Sequence, residues 1–154
     1  NKWNKGTTSL NHQESGRKSD ICWISDENIK QQIMDYYWVA NETGQWNFDI
    51  KDIEDVQIAR YRKGEYYDWH VDGNGISSIP NSSGHVRKIS MSIILNDDYT
   101  GGELEIKEDG RNSEMPNIIG TIIVFPSYSL HRVKPVKKGT RYSLVAWLGG
   151  PKFR

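Results

Sequence analysis

The stretch Arg141-Tyr-Ser-Leu-Val-Ala-Trp-Leu148 has the pattern of a β-strand and is the first indication of the fold of this 154-residue chain. Successive side chains of a strand point to opposite faces of its sheet. One face of this strand would carry Arg141, Ser143, Val145 and Trp147, and the other would carry Tyr142, Leu144, Ala146 and Leu148. An arginine on an inward face needs an anionic partner, because burying an unpaired charge is costly. A solvated arginine at the end of the strand is the alternative.

Further stretches upstream have the same strand-like character. They are short β-branched and aromatic runs bounded by Gly, Pro, Asn and Asp, namely Val56–Arg62, Tyr66–Asp72, Val86–Asn96, Glu103–Lys107, Thr121–Phe125 and Leu130–Lys134. Ile and Val number 17 and 8, against 6 Leu and 3 Ala, and β-branched side chains favour sheets over helices. We therefore predict a mainly β (α+β) fold, a β-sandwich or jelly-roll barrel with helical support on one side.

One helix is predicted ahead of these strands. Ser25 is a candidate N-cap, and Asp26 and Glu27 suit the positive end of the helix dipole. Apolar residues then recur at helical spacing, at Ile29, Ile33, Tyr36 and Ala40. We expect the helix to end at Gly44.

Two segments are polar and predict little regular structure. Residues 1–20 contain only Trp3 and Leu10 as large apolar residues, so we expect this N-terminal segment to be partly ordered at most. The segment Gly73–His85 is rich in Gly and Ser, which predicts a mobile loop and a candidate lid beside the preceding strand. The remaining residues, 21–154, are predicted to form a single domain.

Charge and cysteine content restrict the class of protein. Lys+Arg and Asp+Glu each number 20, so the net charge of +0 argues against binding to nucleic acid or a membrane through bulk charge. The longest apolar stretch, Ile118 to Phe125, is interrupted by Gly120 and Thr121 and is far shorter than a membrane span. No signal peptide is evident, and the single Cys22 permits no internal disulfide. We expect a cytoplasmic protein with no membrane or nucleic-acid partner.

Three residues form a candidate metal site. His70 and Asp72 lie at positions i and i+2 of a predicted strand, so their side chains are expected to converge on one face, and His131 on a later strand supplies a third donor. Two histidines and one carboxylate leave three positions of an octahedral ion open, the arrangement that non-heme Fe(II) oxygenases use. The same donors also bind zinc, and His-x-Asp alone is a weakly specific motif.

The motifs around these residues carry a family resemblance. They are Tyr61-x-x-Gly64-x-Tyr66-x-x-x-His70-x-Asp72, Arg87 to Asn96 with Gly101-Gly-Glu-Leu104, Gly120-Thr-Ile-Ile-Val-Phe-Pro126, Leu130-His-Arg-Val-Lys-Pro-Val136, and Gly139 to Trp147. In order and spacing they resemble the prolyl 4-hydroxylase branch of the Fe(II)/2-oxoglutarate-dependent dioxygenases. The likeness is greatest to bacterial and phage PKHD-type proline hydroxylases.

The resemblance implies a double-stranded β-helix (jelly roll) and a role for each site residue. The family's iron ligands correspond to His70, Asp72 and His131. Arg141 matches the basic residue that pairs with the distal carboxylate of 2-oxoglutarate, and Tyr61 matches the tyrosine that hydrogen-bonds it. Ser143 lies where some relatives add a hydroxyl to the same carboxylate, and Trp147 matches an aromatic wall of the pocket. Collagen-type prolyl hydroxylases tend to carry Lys where this chain has Arg141, so the likeness is to other members of the group.

The implied activity is an Fe(II)- and 2-oxoglutarate-dependent hydroxylation. It would use O2, convert 2-oxoglutarate to succinate and CO2, and take ascorbate as a candidate reductant. The implied substrate is a prolyl residue of a peptide or protein, with a free amino acid or another side chain as alternatives. We expect a monomer.

Three rival functions remain at this point. A catalytically silent jelly-roll binding module is disfavoured because all three candidate ligands and the candidate carboxylate anchor are present. A zinc hydrolase would leave Arg141 unexplained. A nucleic-acid demethylase of the same superfamily is disfavoured by the neutral net charge and by Trp147, where that branch tends to carry a second arginine.

Overall fold

The computed structural model describes residues 2–6, 16–73 and 80–153. The first elements along the chain are β1 (Asn4–Lys5), β2 (Arg17–Lys18), β3 (Asp20–Ile24), α1 (Glu27–Thr43), β4 (Asp52–Ile53), β5 (Val56–Arg62) and β6 (Tyr66–His70). They are followed by β7 (Val86–Ile94), β8 (Thr100–Gly101), β9 (Leu104–Glu108), β10 (Arg111–Glu114), β11 (Ile122–Pro126), β12 (Leu130–Val133), β13 (Val136–Lys138) and β14 (Thr140–Gly150).

The strands form two main antiparallel sheets. The larger sheet has the order β1-β3-β5-β14-β7-β11, with β4 pairing to the end of β14, and the smaller has the order β10-β9-β12-β6-β2. A two-stranded ribbon joins β13 to β8. Neighbours in each sheet are mostly distant in sequence, as in a jelly roll. The mainly β prediction is confirmed.

The central strand β14 divides the core into two parts. One apolar cluster, which includes Tyr61, Leu104, Ile106 and Phe125, fills the space between the two main sheets, and Val145 of β14 packs against it. A second cluster lies between α1 and the back of the larger sheet, and it takes its β14 members from Leu144, Ala146 and Leu148. The two predicted faces of β14 are therefore both used, one towards the space between the sheets and one towards the helix.

The helix exists where the sequence predicts it, with two corrections. Asp26, not Ser25, is the N-cap, because its Oδ1 accepts hydrogen bonds from the backbone N–H groups of residues 28 and 29. The buried face includes Tyr37, whereas Tyr36 is exposed. Tyr37 lies four residues after Ile33 and so shares its buried face, and its hydroxyl donates to the backbone oxygen of Phe48 at 2.8 Å. The helix ends before Gly44, as expected.

All seven predicted strands are present, and their ends differ by up to two residues from the prediction. The strand predicted over Tyr66–Asp72 stops at His70, so Asp72 lies in the turn that follows. Five strands after residue 18 were not predicted: β3 and the short strands β4, β8, β10 and β13. Most of these are too short to show an alternating pattern.

The polar N-terminal segment contributes two short strands, β1 and β2, to the edges of the two main sheets. Trp3 lies against Arg60, with the guanidinium carbon 4.1 Å from the ring centroid. The prediction of a mobile lid over Gly73–His85 rests mainly on residues 74–79, which lie outside the described residues. Among the residues described, no helix combines the length and the apolar character that crossing a membrane requires.

Candidate active site

The two predicted histidine ligands are direct neighbours across adjacent antiparallel strands. His70 on β6 and His131 on β12 are register partners, and their ring centroids lie 4.1 Å apart. Each Nδ1 bonds a backbone oxygen two residues upstream, that of Asp68 at 2.7 Å and that of Ser129 at 2.8 Å. Since a carbonyl oxygen can only accept, each Nδ1 carries the proton. Both Nε2 atoms are thereby left as lone-pair donors, the arrangement found in metal-ligating histidines.

Asp72 joins the histidines from a turn, not from the strand as predicted. Its backbone N–H donates to the oxygen of Ser127 at 2.9 Å, which fixes the turn against the larger sheet. The carboxylate lies 3.6 Å from the Nε2 atom of His70 and 3.6 Å from that of His131. These distances are too long for hydrogen bonds. One potential ligand atom from each residue lies within 4.8 Å of the others, so the three can hold one metal ion.

The electrostatics of this group match what a divalent metal requires. Burial lowers the pKa of His70 to about 4, and the neighbouring His131 adds to the shift, so the imidazole is neutral near pH 7. Burial opposes ionisation of Asp72, but the two histidines and two hydrogen-bond donors outweigh it, and its pKa is lowered. A neutral imidazole and an ionised carboxylate are the forms that bind metal. The donor set therefore fits Fe(II).

Aromatic stacking holds the more exposed histidine in place. The ring of Tyr67 lies parallel to that of His70, with centroids 3.5 Å apart and an interplanar angle of 12°. The guanidinium of Arg17 lies over the Tyr67 ring, 4.5 Å from its centroid, and donates to Gln57 and Ser19. Burial raises the pKa of Tyr67 to about 12, so the phenol stays neutral. Stacking on Tyr67 restricts rotation of the imidazole.

The predicted carboxylate anchor occupies a second part of the same cleft. Arg141 is only 1 % exposed, and its NH1 donates to the Ser143 hydroxyl at 2.8 Å. Its Nε and NH2 atoms are buried and have no hydrogen-bond partner among the described residues. Tyr61 is its register partner on β5, and the guanidinium carbon lies 5.6 Å from the tyrosine ring centroid. A buried guanidinium with two unpartnered nitrogens fits a carboxylate ligand, which can accept two parallel hydrogen bonds from Nε and NH2.

One cleft connects the two groups. It encloses about 440 Å³, part of it open to solvent, and all seven predicted site residues line it: Tyr61, His70, Asp72, His131, Arg141, Ser143 and Trp147. Apolar side chains complete the wall between the two polar ends, including Leu104, Phe125, Val133 and Val145. The arrangement can bind a metal at one end and a small dicarboxylate between the metal and Arg141.

Trp147 does more than form the wall of the pocket, which is the role that the sequence predicts for it. It lines the cleft, but its indole N–H also donates to Asp72 Oδ2 at 2.8 Å. On its ring lies the guanidinium of Arg87, 4.0 Å from the centroid, and Arg87 is paired with Glu54. The tryptophan thus contacts a candidate metal ligand directly.

Sequence reasoning missed three contributors to the site: Ser90, Ser127 and Tyr67. The Ser90 hydroxyl donates to Asp72 Oδ2 at 2.6 Å, and the Ser90 and Ser127 hydroxyls are bonded at 3.0 Å. One signal was available for Ser90, because Ser90 and Ser92 alternate with Met91 and Ile93 in an otherwise apolar strand. Inward-facing serines in such a strand need hydrogen-bond partners.

Comparison with known families gives a match over most of the sheet region. Residues 56–149, more than half of the chain, match the model of the 2OG-Fe(II) oxygenase superfamily. The matched range begins at β5 and ends in β14, so it includes all seven predicted site residues.

Curated relatives share a common description. A PKHD-type hydroxylase of Idiomarina loihiensis is 31 % identical over 148 residues, which are 95 % of this chain and 62 % of the relative. A PKHD-type hydroxylase of Herminiimonas arsenicoxydans is 38 % identical over 92 residues, which are 58 % of this chain and 40 % of the relative. The chain thus spans between two fifths and three fifths of the length of these relatives.

Solved structures show the same fold. A prolyl-4-hydroxylase of Pseudomonas putida superposes with a TM-score of 0.68 and 25 % identity, covering 88 % of this chain and 73 % of that one. The viral collagen prolyl hydroxylase of Paramecium Bursaria Chlorella virus-1, solved as a 2OG complex, superposes with a TM-score of 0.70 and 23 % identity, covering 88 % and 80 %. The jelly-roll prediction is therefore confirmed.

Proposed function

Because this chain belongs to the 2OG-Fe(II) oxygenase superfamily, we propose that it is an Fe(II)- and 2-oxoglutarate-dependent dioxygenase that hydroxylates a prolyl residue of a peptide or protein. One observation carries the proposal: a single cleft has metal-binding donors at one end and a buried, half-satisfied Arg141 at the other. A zinc hydrolase would leave the buried, partly unpaired Arg141 unexplained. A catalytically silent binding module would leave the three clustered metal-binding donors unexplained.

The histidines and Asp72 would hold the iron. Both imidazoles are fixed in the tautomer that presents Nε2, by hydrogen bonds from Nδ1 to backbone oxygens. Two side-chain donors orient the carboxylate. Bound Fe(II) would supply the redox chemistry, in which conversion of 2-oxoglutarate and O2 to succinate and CO2 is coupled to hydroxylation of the substrate.

Arg141 would bind the distal carboxylate of 2-oxoglutarate through Nε and NH2, the two donors that lack partners. Ser143 holds the third position of the guanidinium, so it would act on the cosubstrate by orienting the arginine. Tyr61, directly across the sheet, would add a hydrogen bond from its hydroxyl to the same carboxylate.

The apolar wall between the two ends would exclude water from the cosubstrate. Phe125, for example, packs edge-on against His131, with centroids 4.7 Å apart. In a dry cleft the attraction between Arg141 and a carboxylate is stronger than in water, because the local dielectric constant is lower. Binding of 2-oxoglutarate would therefore be both oriented and selective for a dicarboxylate.

The substrate assignment rests on relatives. The curated relatives are PKHD-type hydroxylases, and the Pseudomonas putida structure is a prolyl-4-hydroxylase. A peptidyl proline is therefore the substrate we propose. The proposal also includes ascorbate as reductant and a monomeric state, which turnover assays with and without ascorbate and light scattering would test.

Anaerobic titration of the protein with Fe(II) and 2-oxoglutarate is the decisive experiment. We expect the visible charge-transfer band of the metal–cosubstrate chelate to appear in the wild type and to be lost in His131→Ala. No band in the wild type, or an unchanged band in His131→Ala, would refute the metal assignment. For the substrate, mass spectrometry of proline-containing peptides should show a gain of one oxygen together with succinate. Oxidation of free proline alone would show that the substrate is the amino acid.

A further inference from the structure

We propose that a buried pair of serines, Ser90 and Ser127, is a positioning device that restricts Asp72 to a single metal-binding oxygen. The inference rests on the proposed function, because it concerns how the metal is held. It adds a role for two residues outside the set of ligands and cosubstrate contacts.

The serine pair lies behind the carboxylate, between β7 and the segment that joins β11 to β12. Ser90 and Ser127 are each only 1 % exposed. Ser90 Oγ lies 2.6 Å from Asp72 Oδ2 and 3.0 Å from Ser127 Oγ. Ser127 is bound on its backbone as well, since its N–H donates to the oxygen of Lys88 and its oxygen accepts from the Asp72 N–H, both at 2.9 Å.

The direction of these hydrogen bonds is determined by proton count. Ser90 has one hydroxyl proton, and a carboxylate that binds a metal can only accept, so Ser90 donates to Asp72. The bond between the serines therefore runs from Ser127 to Ser90. A hydroxyl that accepts one hydrogen bond is a stronger donor in the next, so Ser127 strengthens the hold of Ser90 on Asp72.

Both donors to the Asp72 carboxylate act on the same oxygen. Among the described residues, Ser90 and Trp147 are the side chains that donate to it, and both reach Oδ2, at 2.6 and 2.8 Å. A carboxylate oxygen has two lone pairs in its plane, and the two donors occupy both. Oδ2 therefore has no lone pair to offer a metal although it lies 3.6 Å from His131 Nε2, and Oδ1, 3.6 Å from His70 Nε2, keeps its lone pairs for the ion. A carboxylate that binds through one oxygen keeps three positions of an octahedral ion open, which 2-oxoglutarate and O2 require.

Removing the serine hydroxyl should therefore weaken binding of the cosubstrate more than binding of the metal. In Ser90→Ala one lone pair of Oδ2 is freed, so Asp72 can bind with both oxygens and occupy a position that 2-oxoglutarate needs. We expect about a tenfold loss of 2-oxoglutarate affinity and a smaller loss of Fe(II) affinity, because all three ligands and the Trp147 hydrogen bond to Asp72 remain. Ser127→Ala should show the same selectivity with a smaller loss, of roughly threefold, because Ser90 still donates.

We would test the role of the serine pair by two anaerobic titrations, of Fe(II) alone and of 2-oxoglutarate into Fe(II)-loaded protein. Four proteins are compared: the wild type, both single variants and the double variant. Because Ser127 acts through Ser90, the double variant should lose no more 2-oxoglutarate affinity than Ser90→Ala. Equal losses of Fe(II) and 2-oxoglutarate affinity, additive losses in the double variant, or no loss in Ser90→Ala would each overturn the proposal.

A folding control and the binding behaviour of the wild type keep the test decisive. If Ser90→Ala does not fold, as judged by circular dichroism, the selectivity of Ser127→Ala decides alone. A wild type that binds neither Fe(II) nor 2-oxoglutarate would refute the proposed function, whereas a wild type that binds both and variants that behave like it would refute only the role of the serines.

Discussion

The two ends of the cleft satisfy their polar groups in opposite ways. At the metal end, three polar atoms beside the expected ligand atoms have partners among the described residues: backbone oxygens for the two Nδ1 atoms, and Ser90 and Trp147 for Asp72 Oδ2. At the other end, Arg141 is also buried, but its Nε and NH2 nitrogens have no hydrogen-bond partner in the part of the chain that the structure describes. The first end is complete before any ligand arrives. The second is complete only with an anion.

This difference indicates that folding stability is reduced at the Arg141 end, where an unpaired group is kept for binding a ligand. A buried charge without a partner destabilises a folded protein, whereas a buried hydrogen-bonded group costs little. We therefore expect changes at the metal end to remove function with little gain in stability. At the Arg141 end, loss of function should come with a gain in stability of the ligand-free protein.

The largest expected effect is at the metal end. His131→Ala removes one of three donors that lie within 4.8 Å of one another, so we expect Fe(II) affinity to fall more than about 100-fold and hydroxylation to be lost. Isothermal titration under nitrogen measures the affinity. His85→Ala is the matched control, since His85 bonds Asp52 and does not line the cleft, and it should bind Fe(II) as the wild type does.

At the other end, Arg141→Met should weaken 2-oxoglutarate by about 100-fold, because two charge-assisted hydrogen bonds are lost. Fe(II) affinity should not change. The ligand-free variant should also melt at a higher temperature than the wild type, since the unpaired buried charge is gone. Arg111→Met, at an exposed arginine, should change neither the 2-oxoglutarate affinity nor the melting temperature. A lower melting temperature with unchanged 2-oxoglutarate binding would contradict the contrast between the two ends.

A buried acid outside the cleft sharpens the comparison. Asp20 is buried but paired with Arg60, Arg62 and Lys5 at 2.6–3.1 Å. Burial disfavours its charged form, yet the hydrogen bonds from these cations outweigh it, and its pKa is lowered to about 2. Asp20→Asn should therefore lower the free energy of unfolding by about 1–3 kcal/mol at pH 7, the opposite sign to Arg141→Met.

The pH dependence follows from the same pKa. Since the pKa of Asp20 is about 2 when folded and 3.8 ordinarily, its contribution is present above pH 3.8 and is lost as the pH falls from 3.8 towards 2. Urea unfolding at several pH values should show the difference between wild type and Asp20→Asn shrinking over that range. Asp97→Asn, at an exposed aspartate, is the control. A difference that stays constant down to pH 2 would contradict the ion-pair origin.

The smallest expected effect is that of Tyr61→Phe. The change removes one neutral hydroxyl beside the proposed carboxylate and leaves the ring against Arg141, so 2-oxoglutarate affinity should fall about fivefold, with Fe(II) affinity unchanged. Tyr36→Phe, on the exposed side of α1, should have no effect on either. A loss as large as that in Arg141→Met would mean that the arginine is not the main anchor.

Features that depend on local periodicity could be predicted from the sequence. The two faces of β14 are those that its alternation indicates, with Arg141 and Trp147 in the cleft and Leu144 and Leu148 against the helix. The seven long strands are long enough for the same reasoning. A run of two residues such as β8 has no period to read.

Features that depend on contacts between distant segments could not be predicted. Ser127 lies 37 residues from Ser90 in the chain, and nothing near either residue indicates that their hydroxyls meet. Asp72 reaches the histidines from a turn because its N–H bonds Ser127, although the sequence suggests a continuous strand.

The pairing of His70 with His131 as register partners has one more consequence. The Cα atoms of opposed residues on antiparallel strands are about 4.5–5.5 Å apart because the backbone hydrogen bonds fix that distance, whatever the side chains bind. Metal uptake should then not be coupled to folding, in contrast to small zinc domains that unfold when a chelator removes the ion. The candidate iron site is part of the sheet's hydrogen-bonded framework, so the protein should cycle between metal-free and metal-loaded forms without rebuilding its core.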